Sequence, residues 1–490
     1  MRIELAYGRN GLAVDLPDDR TTVIEPTDQP GLPDEHAAVR AALRQPIGAP
    51  PLRDSVRATD RVCLVFTDST RATPNERLIP WLLAELDHVP ADHITLLNST
   101  GTHRPNTPEE LARLLTPEVL ARHRVLNHDC HDDASLVAVG SMRDGTPALL
   151  NRHLAEADVR VITGFIEPHF FAGFSGGPKG IIPGCAGLAS VMANHRPENI
   201  RSPQATFGVT FGNPVWEELR EVALRIGPSF LLNVALNARR QITGVFAGDL
   251  IAAHQAGTEF VRRSALQPVP AAFDIVVTTN SGHPLDLNLY QGVKGLSAAS
   301  RIVKDGGTIL LACECREGVP AGSPFERLLR SAADPAELLR QLGSAPEIQP
   351  EQWQAQIQAQ IQGHARTLLF SSLPDDVARA CHFEPCHAPG HWVHEQLAEL
   401  GPTARVAVLP HGPLTIPHVP SVPNACALTS PPPPRRRRRE ECVVQRKHVA
   451  SPPHVAPTGN EISQRAAAWA VPGQLRRPPF SSTRHRWPSR

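Results

Sequence analysis

The sequence predicts an α/β protein of two domains, with largely parallel sheets flanked by helices, and three observations predict it. Short apolar runs recur along the chain, and longer helical patterns separate them. Strands buried on both faces and joined by helices are the pattern of a parallel sheet. The third observation is length: 490 residues exceed what one hydrophobic core organises.

Taken in order, the first strand is "RVCLVF", Arg61 to Phe66, followed by the helix "NERLIPWLLAELDHV". The second is "HITLLNS", His93 to Ser99. After it, Thr107 with Glu110 three residues on forms a capping box that starts the helix "TPEELARLL". The third strand, "DVRVITGF", runs from Asp158 to Phe165, and "VWEELREVALRI" is the next helix. The stretch "SALQPVPAAF" breaks the pattern and sets a domain boundary, giving domains at 1–265 and 266–422. In the second domain come the strand "FDIVVTT", Phe273 to Thr279, the helix "GVKGLSAASRIV" and the strand "GTILLAC", Gly307 to Cys313. Residues 423–490, with "PPPPRRRRREE" and little periodicity, read as a disordered tail without assigned function. A shifted reading frame in GC-rich DNA is one origin of such a change of character.

Composition excludes more than it selects. Lys and Arg total 49 and so do Asp and Glu, so net charge draws the chain neither to nucleic acid nor to a membrane. Without an apolar leader or a membrane-length run, the expected location is the cytoplasm. The nine cysteines are scattered, mostly in apolar runs, as reduced thiols would be.

The chemistry sits in loops, most of them after strands, where open α/β sheets bind ligands. "FTDSTRATPN" offers Asp68 and Arg71, a carboxylate and a planar cation suited to a substrate carboxylate. "NSTGTHRPNT" presents His103. "EPHFFAGFSGGPKG" carries His169 and Lys179 among glycines, and it is no P-loop, because Lys179 stands between Pro178 and Gly180 where Walker A needs Gly before and Ser or Thr after. Glycines such as Gly176 and Gly177 let backbone approach a ligand, and a desolvated Lys179 is a candidate nucleophile. "VMANHRPENI" adds His195. In the second domain Tyr290, Gln291 and Lys294 share one turn at a helix start. Each loop alone is also explained by turns, caps and surface charge; together they suggest a site for a small anion with proton transfer. "CHFEPCHAPGHWVH" spaces Cys381, Cys386, His387, His391 and His394 like metal ligands, but it has no paired CxxC knuckle, and a helix beginning at His391 explains the histidines equally well.

Five motifs, "DSTRATP", "GTHRPNT", "EPHFFAGFSGGPKGIIPG", "NHRPEN" and "PLDLNLYQGVKGLSAA", resemble those of the nickel-dependent lactate racemase family in order and spacing, as far as about Pro417. The resemblance implies two α/β domains with the active site between them and a nickel-pincer nucleotide, a pyridinium mononucleotide bearing thioacid groups. It implies that Lys179 attaches this cofactor covalently, that His195 ligates nickel, and that His103 and His169 are the acid/base pair. Asp68 would lie beside the cofactor, and Arg71, Tyr290, Gln291 and Lys294 would bind substrate. Gly176 and Gly177 are expected, from the loop's chemistry, to turn amides toward the cofactor phosphate. The implied reaction is racemisation of a small 2-hydroxy acid, lactate foremost, by reversible hydride transfer to the cofactor. The alternatives are another 2-hydroxy acid, such as malate, 2-hydroxyglutarate, phenyllactate, a longer aliphatic acid or a sugar acid, and a non-catalytic cofactor or nickel binder. The host's cofactor-synthesis proteins are the implied partners.

Overall fold

The computed structural model describes residues 1–345 and 347–420; the tail expected at 423–490 lies outside the described residues. Two six-stranded sheets organise the described chain. In the first, the spatial order is Ile242–Asp249, Phe230–Leu236, Val159–Phe165, Val62–Thr67, Ile94–Ser99, Arg124–Asn127. Every neighbouring pair is parallel except the hairpin of Phe230–Leu236 with Ile242–Asp249. The second sheet runs Glu384–Pro385, Arg366–Phe370, Val303–Ala312, Phe273–Thr279, Val406–Leu409, Thr21–Val23, parallel throughout. The central strands are buried along almost their whole length, as in Val62–Thr67 with burial on consecutive residues, which parallel pairing under two helical layers demands.

The expected strands and helices fall within a few residues of their places. "GTILLAC" starts earlier, at Val303, because the strand carries an exposed irregularity at Lys304 to Gly306, where the register against Phe273–Thr279 shifts and Gly306 takes φ +74°, before its buried part begins. The helix "NERLIPWLLAELDHV" stops at Glu85, four residues early. The capping box forms as read: Thr107 Oγ1 accepts from the Glu110 N–H and Glu110 Oε2 from the Thr107 N–H.

The sheets do not follow chain order at the amino-terminal end. The first residues belong with the second sheet: Thr21–Val23 pairs with Val406–Leu409, and Ile3, Leu5, Val14 and Leu16 pack in one core cluster with Ile275, Val277, Leu310 and Val408. The hairpin Arg2–Leu5 and Leu12–Asp15 has one apolar face, and the outer face of the second sheet is the surface that buries it. The stretch at the expected boundary is itself ordered: Leu266–Pro268 pairs in parallel with Ile416–His418, both within 266–422. Proline ends no pairing there because the ladder is only two strands wide and an edge position leaves its missing N–H without consequence.

Chain order places the functional loops. In the first sheet the chain leaves Val62–Thr67 toward Ile94–Ser99 on one side and returns to Val159–Phe165 on the other. The carboxyl ends of these strands therefore flank a topological switch point, where successive connections diverge and leave a crevice. Phe273–Thr279 occupies the corresponding position in the second sheet, between Val303–Ala312 and Val406–Leu409.

Candidate active site

Asp68 follows the strand Val62–Thr67 directly and is only 2% exposed. Its Oδ2 lies 2.7 Å from His103 Nδ1, and its Oδ1 accepts from Thr70 Oγ1 at 2.8 Å. Burial alone would raise its pKa, but the hydrogen bond and charge of His103, with Arg71 and Thr70, outweigh it and hold the carboxyl below its ordinary value. An ionised Asp68 keeps the ring proton of His103 on Nδ1 and leaves the Nε2 lone pair free. The two loops are also tied to each other. Asn106 donates from Nδ2 to Ser69 Oγ at 2.6 Å and to Glu110 Oε2 at 2.9 Å, so the capping box that starts the helix also fixes the approach of the His103 loop.

The glycine-rich loop is more regular than its composition suggests. Pro168–His169 and Gly173–Phe174 form a small antiparallel ladder, and Gly177–Gly180 is one short 3-10 turn that carries Lys179. Gly173, at φ +80°, sits where a Cβ would lie 2.1 Å from Val209 O, so only glycine closes this ladder. His169 stacks on Phe170, centroids 5.0 Å apart, and meets Phe171 edge-on at 4.6 Å. Phe171 in turn lies 5.6 Å below Lys179 Nζ and 5.1 Å from His195. His195 caps the helix Leu188–Asn194, where its Nδ1 bonds Val191 O at 3.0 Å, so the proton is held there and Nε2 is the available donor to a metal. Trp353 covers its other side at 4.9 Å.

Burial, Arg71 and Lys294 bring the Lys179 amine down to about 7. Burial and Lys179 bring His195 to about 3, and burial with Lys179, Lys294 and Arg71 holds His169 well below its ordinary value. Lys294 falls to about 8 through burial and Arg71, partly opposed by Glu167. Burial raises Glu167, against the pull of Lys294 and Arg71.

The glycine expectation is corrected for Gly177. Its N–H donates to Asn233 Oδ1 at 2.8 Å, so that amide is taken and faces the sheet. A Cβ on Gly177 would lie 2.5 Å from the His254 ring, and one on Gly176 2.4 Å from Asn233 Oδ1. These glycines let the loop seat on two buried polar side chains. His254 completes the seat, its Nε2 bonding Ser175 O at 2.9 Å. Asn233→Leu strands the Gly177 amide, so it should destabilise the fold by about 1–3 kcal/mol, whereas Asn233→Asp keeps the acceptor and should recover part of the loss. Chemical denaturation of the three proteins measures this.

From the second domain, the helix Leu289–Ser300 begins at Asn288, whose side chain accepts from the Gln291 N–H. Its first turns present Tyr290, Gln291 and Lys294, and the Tyr290 carbonyl accepts from Gln354 Nε2. Every residue singled out for the site, Asp68, Arg71, His103, His169, Gly176, Gly177, Lys179, His195, Tyr290, Gln291 and Lys294, lines one cavity of about 1090 Å³ counted with its mouth. Trp353 and Gln354 line it too and were missed, because they lie in a helix, "QWQAQIQAQIQ", that carries no loop or strand-end signal. The five-residue metal pattern does not converge. Cys381 and Cys386 are buried in separate core clusters, His387 pairs with Asp375 at 3.1 Å, and His391 pairs with Glu395 at 3.1 Å. The seven cysteines among the described residues are free and buried.

Fold and cavity together define an α/β enzyme whose polar residues gather where loops of two parallel sheets meet. Residues 7–208 match the Lactate racemase N-terminal domain and residues 269–416 the Lactate racemase C-terminal domain. The chain is 36% identical over 420 residues to the lactate racemase of Lactiplantibacillus plantarum, covering 82% of this chain and 98% of that protein. It is 36% identical over 365 residues to the lactate racemase of Thermoanaerobacterium thermosaccharolyticum, covering 73% and 85%. The lactate racemase apoprotein structure from the same organism superimposes with a TM-score of 0.80 at 33% identity, over 85% of this chain and all of that one. A Thermotoga maritima protein shares the fold, with a TM-score of 0.62 at 18% identity over 80% of this chain. The chain belongs to the lactate racemase family.

Proposed function

We propose that the protein is a racemase of a small 2-hydroxy acid, lactate foremost, working in the cytoplasm with a nickel-pincer nucleotide held by Lys179 and His195. One observation carries the reading: two imidazoles, a depressed lysine amine and a histidine with a free Nε2 line the same cavity. No helix among the described residues is long and apolar enough to cross a membrane.

The residues fit the group. An amine brought to about 7 is substantially neutral at physiological pH and so nucleophilic toward an activated carboxyl or thiocarboxyl carbon. His195 offers an imidazole nitrogen suited to nickel, its orientation set by the Val191 carbonyl. Lys179 and His195 line the same cavity as Arg71, Tyr290, Gln291 and Lys294, so the group they would hold lies beside the residues expected to bind substrate. When bound, the cofactor supplies an electrophilic acceptor for the Cα hydride.

The chain's own residues do the rest. Arg71 and Lys294 hold the substrate carboxylate, Arg71 through its planar fork. His103 accepts the hydroxyl proton at Nε2, and Asp68 stabilises the imidazolium that forms. Loss of hydride leaves a planar 2-oxo acid, which the two cations retain while its other face turns. His169 serves that face: it enters this direction of turnover protonated while His103 enters neutral, gives its proton to the carbonyl oxygen as hydride returns to Cα, and leaves neutral with His103 protonated, the reverse direction exchanging the two; burial amid Lys179, Lys294 and Arg71 favours that release. Phe171 and Trp353 pack against His195 and exclude water from that end of the cavity.

Two measurements test this. Co-expression with the cofactor-synthesis proteins and nickel should give a protein with an adduct mass on Lys179 that racemises lactate by chiral chromatography; a nickel-loaded protein inactive on every 2-hydroxy acid would indicate a carrier. Lys294 falls to about 8, so its ammonium is lost as pH rises through that value, and KM should climb above pH 8 while kcat changes little. A flat KM from pH 6 to 9.5 would remove Lys294 from carboxylate binding.

A further inference from the structure

A second cavity, of about 640 Å³ with its mouth, lies behind the active site and shares one residue with it: Phe170 lines both. The two spaces also run along the same two helices. On Leu289–Ser300 the active-site cavity takes Lys294 and the rear chamber takes Ser297 and Ser300, one and two turns further on. On Gln352–Gln362 the active site takes Trp353 and Gln354, and the chamber takes Ile357, Gln360 and Ile361. The chambers are therefore laid end to end in one trough, and the Phe170 ring divides it.

Phe170 is well placed to act as a wall. It is 7% exposed, and it is held by the stack on His169 at 5.0 Å and the edge contact with Phe171 at 4.7 Å. The rear chamber presents Ile200, Phe207, Ile357 and Ile361. Its polar groups are engaged within the protein: Arg301 donates to Thr206 Oγ1 at 2.8 Å and to Pro417 O at 2.9 Å, and His364 Nδ1 bonds Gln360 O at 3.2 Å. What the chamber leaves for a guest is mainly aliphatic surface.

Resting on the racemase reading, we propose that Phe170 is the specificity-determining residue that limits the enzyme to 2-hydroxy acids with short side chains such as methyl, and that the chamber behind it is a latent subsite for longer aliphatic side chains. Cofactor attachment and the proton carriers remain in the front chamber; because Phe170 also stacks on His169, opening the wall should lower turnover of every acid by a similar modest factor and change their ratio through which one fits.

The test compares lactate with 2-hydroxyhexanoate in cofactor-loaded wild type and Phe170→Ala. The ratio of kcat/KM for hexanoate over lactate should rise about 100-fold, since each methylene accommodated in an apolar pocket is worth roughly tenfold or more. Phe170→Leu, a smaller change, should give an intermediate rise and stands in if the alanine variant does not fold. Adding Ala205→Phe, which fills the chamber from its far wall, should abolish the gain in the Phe170→Ala background and leave lactate turnover unchanged on its own. An unchanged ratio in variants that still racemise lactate overturns the partition alone. A loaded wild type that racemises neither acid overturns the functional reading beneath it.

Discussion

Lys179→Ala, co-expressed with the cofactor-synthesis proteins and nickel, should fold, show no adduct by intact mass, and have no detectable racemase activity. Lys179→Arg should fail in the same way, and this variant separates attachment from charge. If the lysine merely paired with an anion, arginine would substitute in part, because it keeps the cation and binds anions well. If the lysine forms a covalent bond it must first be neutral, which a guanidinium is not at any working pH. Burial of the amine beside Arg71 and Lys294 brings it to about 7, where a neutral amine is available. The Phe171 face lies 5.6 Å from Nζ, a weak partner in place of a carboxylate that would hold the proton on. The unloaded variants should not be destabilised, since alanine removes a buried amine that only burial and two like charges surround. Differential scanning fluorimetry checks that point, and an adduct on Lys179→Ala at another residue would move the attachment site.

How much of this was readable in the sequence depends on whether the information is local. Strands such as Phe273–Thr279 were legible because seven consecutive residues carry a buried pattern bounded by Pro and Gly, and the capping box was legible because its two residues are three apart. The placement of the first residues was not. Whether the hairpin at Arg2–Asp15 covers one sheet or another is decided by which outer face is bare, and that is a property of the assembled fold. The same limit applies inside the site. His103, His169 and Lys179 stand in loops whose residue types announce chemistry, whereas Asn233 looks like an awkward polar residue in an apolar strand, "FLLNVAL". Its reason appears only when Gly177 N–H lies 2.8 Å away. A buried amide in a central strand lacking a local partner was the available signal, because such a group needs a hydrogen bond from somewhere. Gly177 shows the converse error: glycine next to a candidate anion site suggested an amide free for phosphate, but the residue is small so that His254 can lie against it.

His103→Gln and His169→Gln should each lower kcat by about 10²–10⁴-fold while nickel content and the Lys179 adduct stay at wild-type levels. Both rings lie in the cavity, but their supports differ, and so should the variants around them. His103 is bonded to Asp68 at 2.7 Å, and the carboxylate both fixes the proton on Nδ1 and stabilises the imidazolium. Asp68→Asn can offer an N–H to Nδ1 instead, which moves the ring proton to Nε2 and turns the acceptor into a donor. It should therefore cost nearly as much kcat as His103→Gln, with KM almost unchanged because the carboxylate of the substrate is held elsewhere. His169 is held by the Phe170 stack and by the Ala172 N–H, which donates to its Nδ1 at 3.3 Å, and it has no carboxylate partner among the described residues. Packing supplies part of its orientation, so Phe170→Leu should weaken lactate turnover modestly and leave the effect of Asp68→Asn unaltered, the two losses adding in the double variant as independent sites do. Because the equilibrium constant between enantiomers is one, kcat/KM must fall equally in both directions for every variant. Individual kcat values are free to diverge, and a variant of His103 should distort the two directions oppositely to a variant of His169. Measuring both enantiomers by chiral chromatography reads this directly; equal distortion from the two histidines would mean that they do not serve opposite faces.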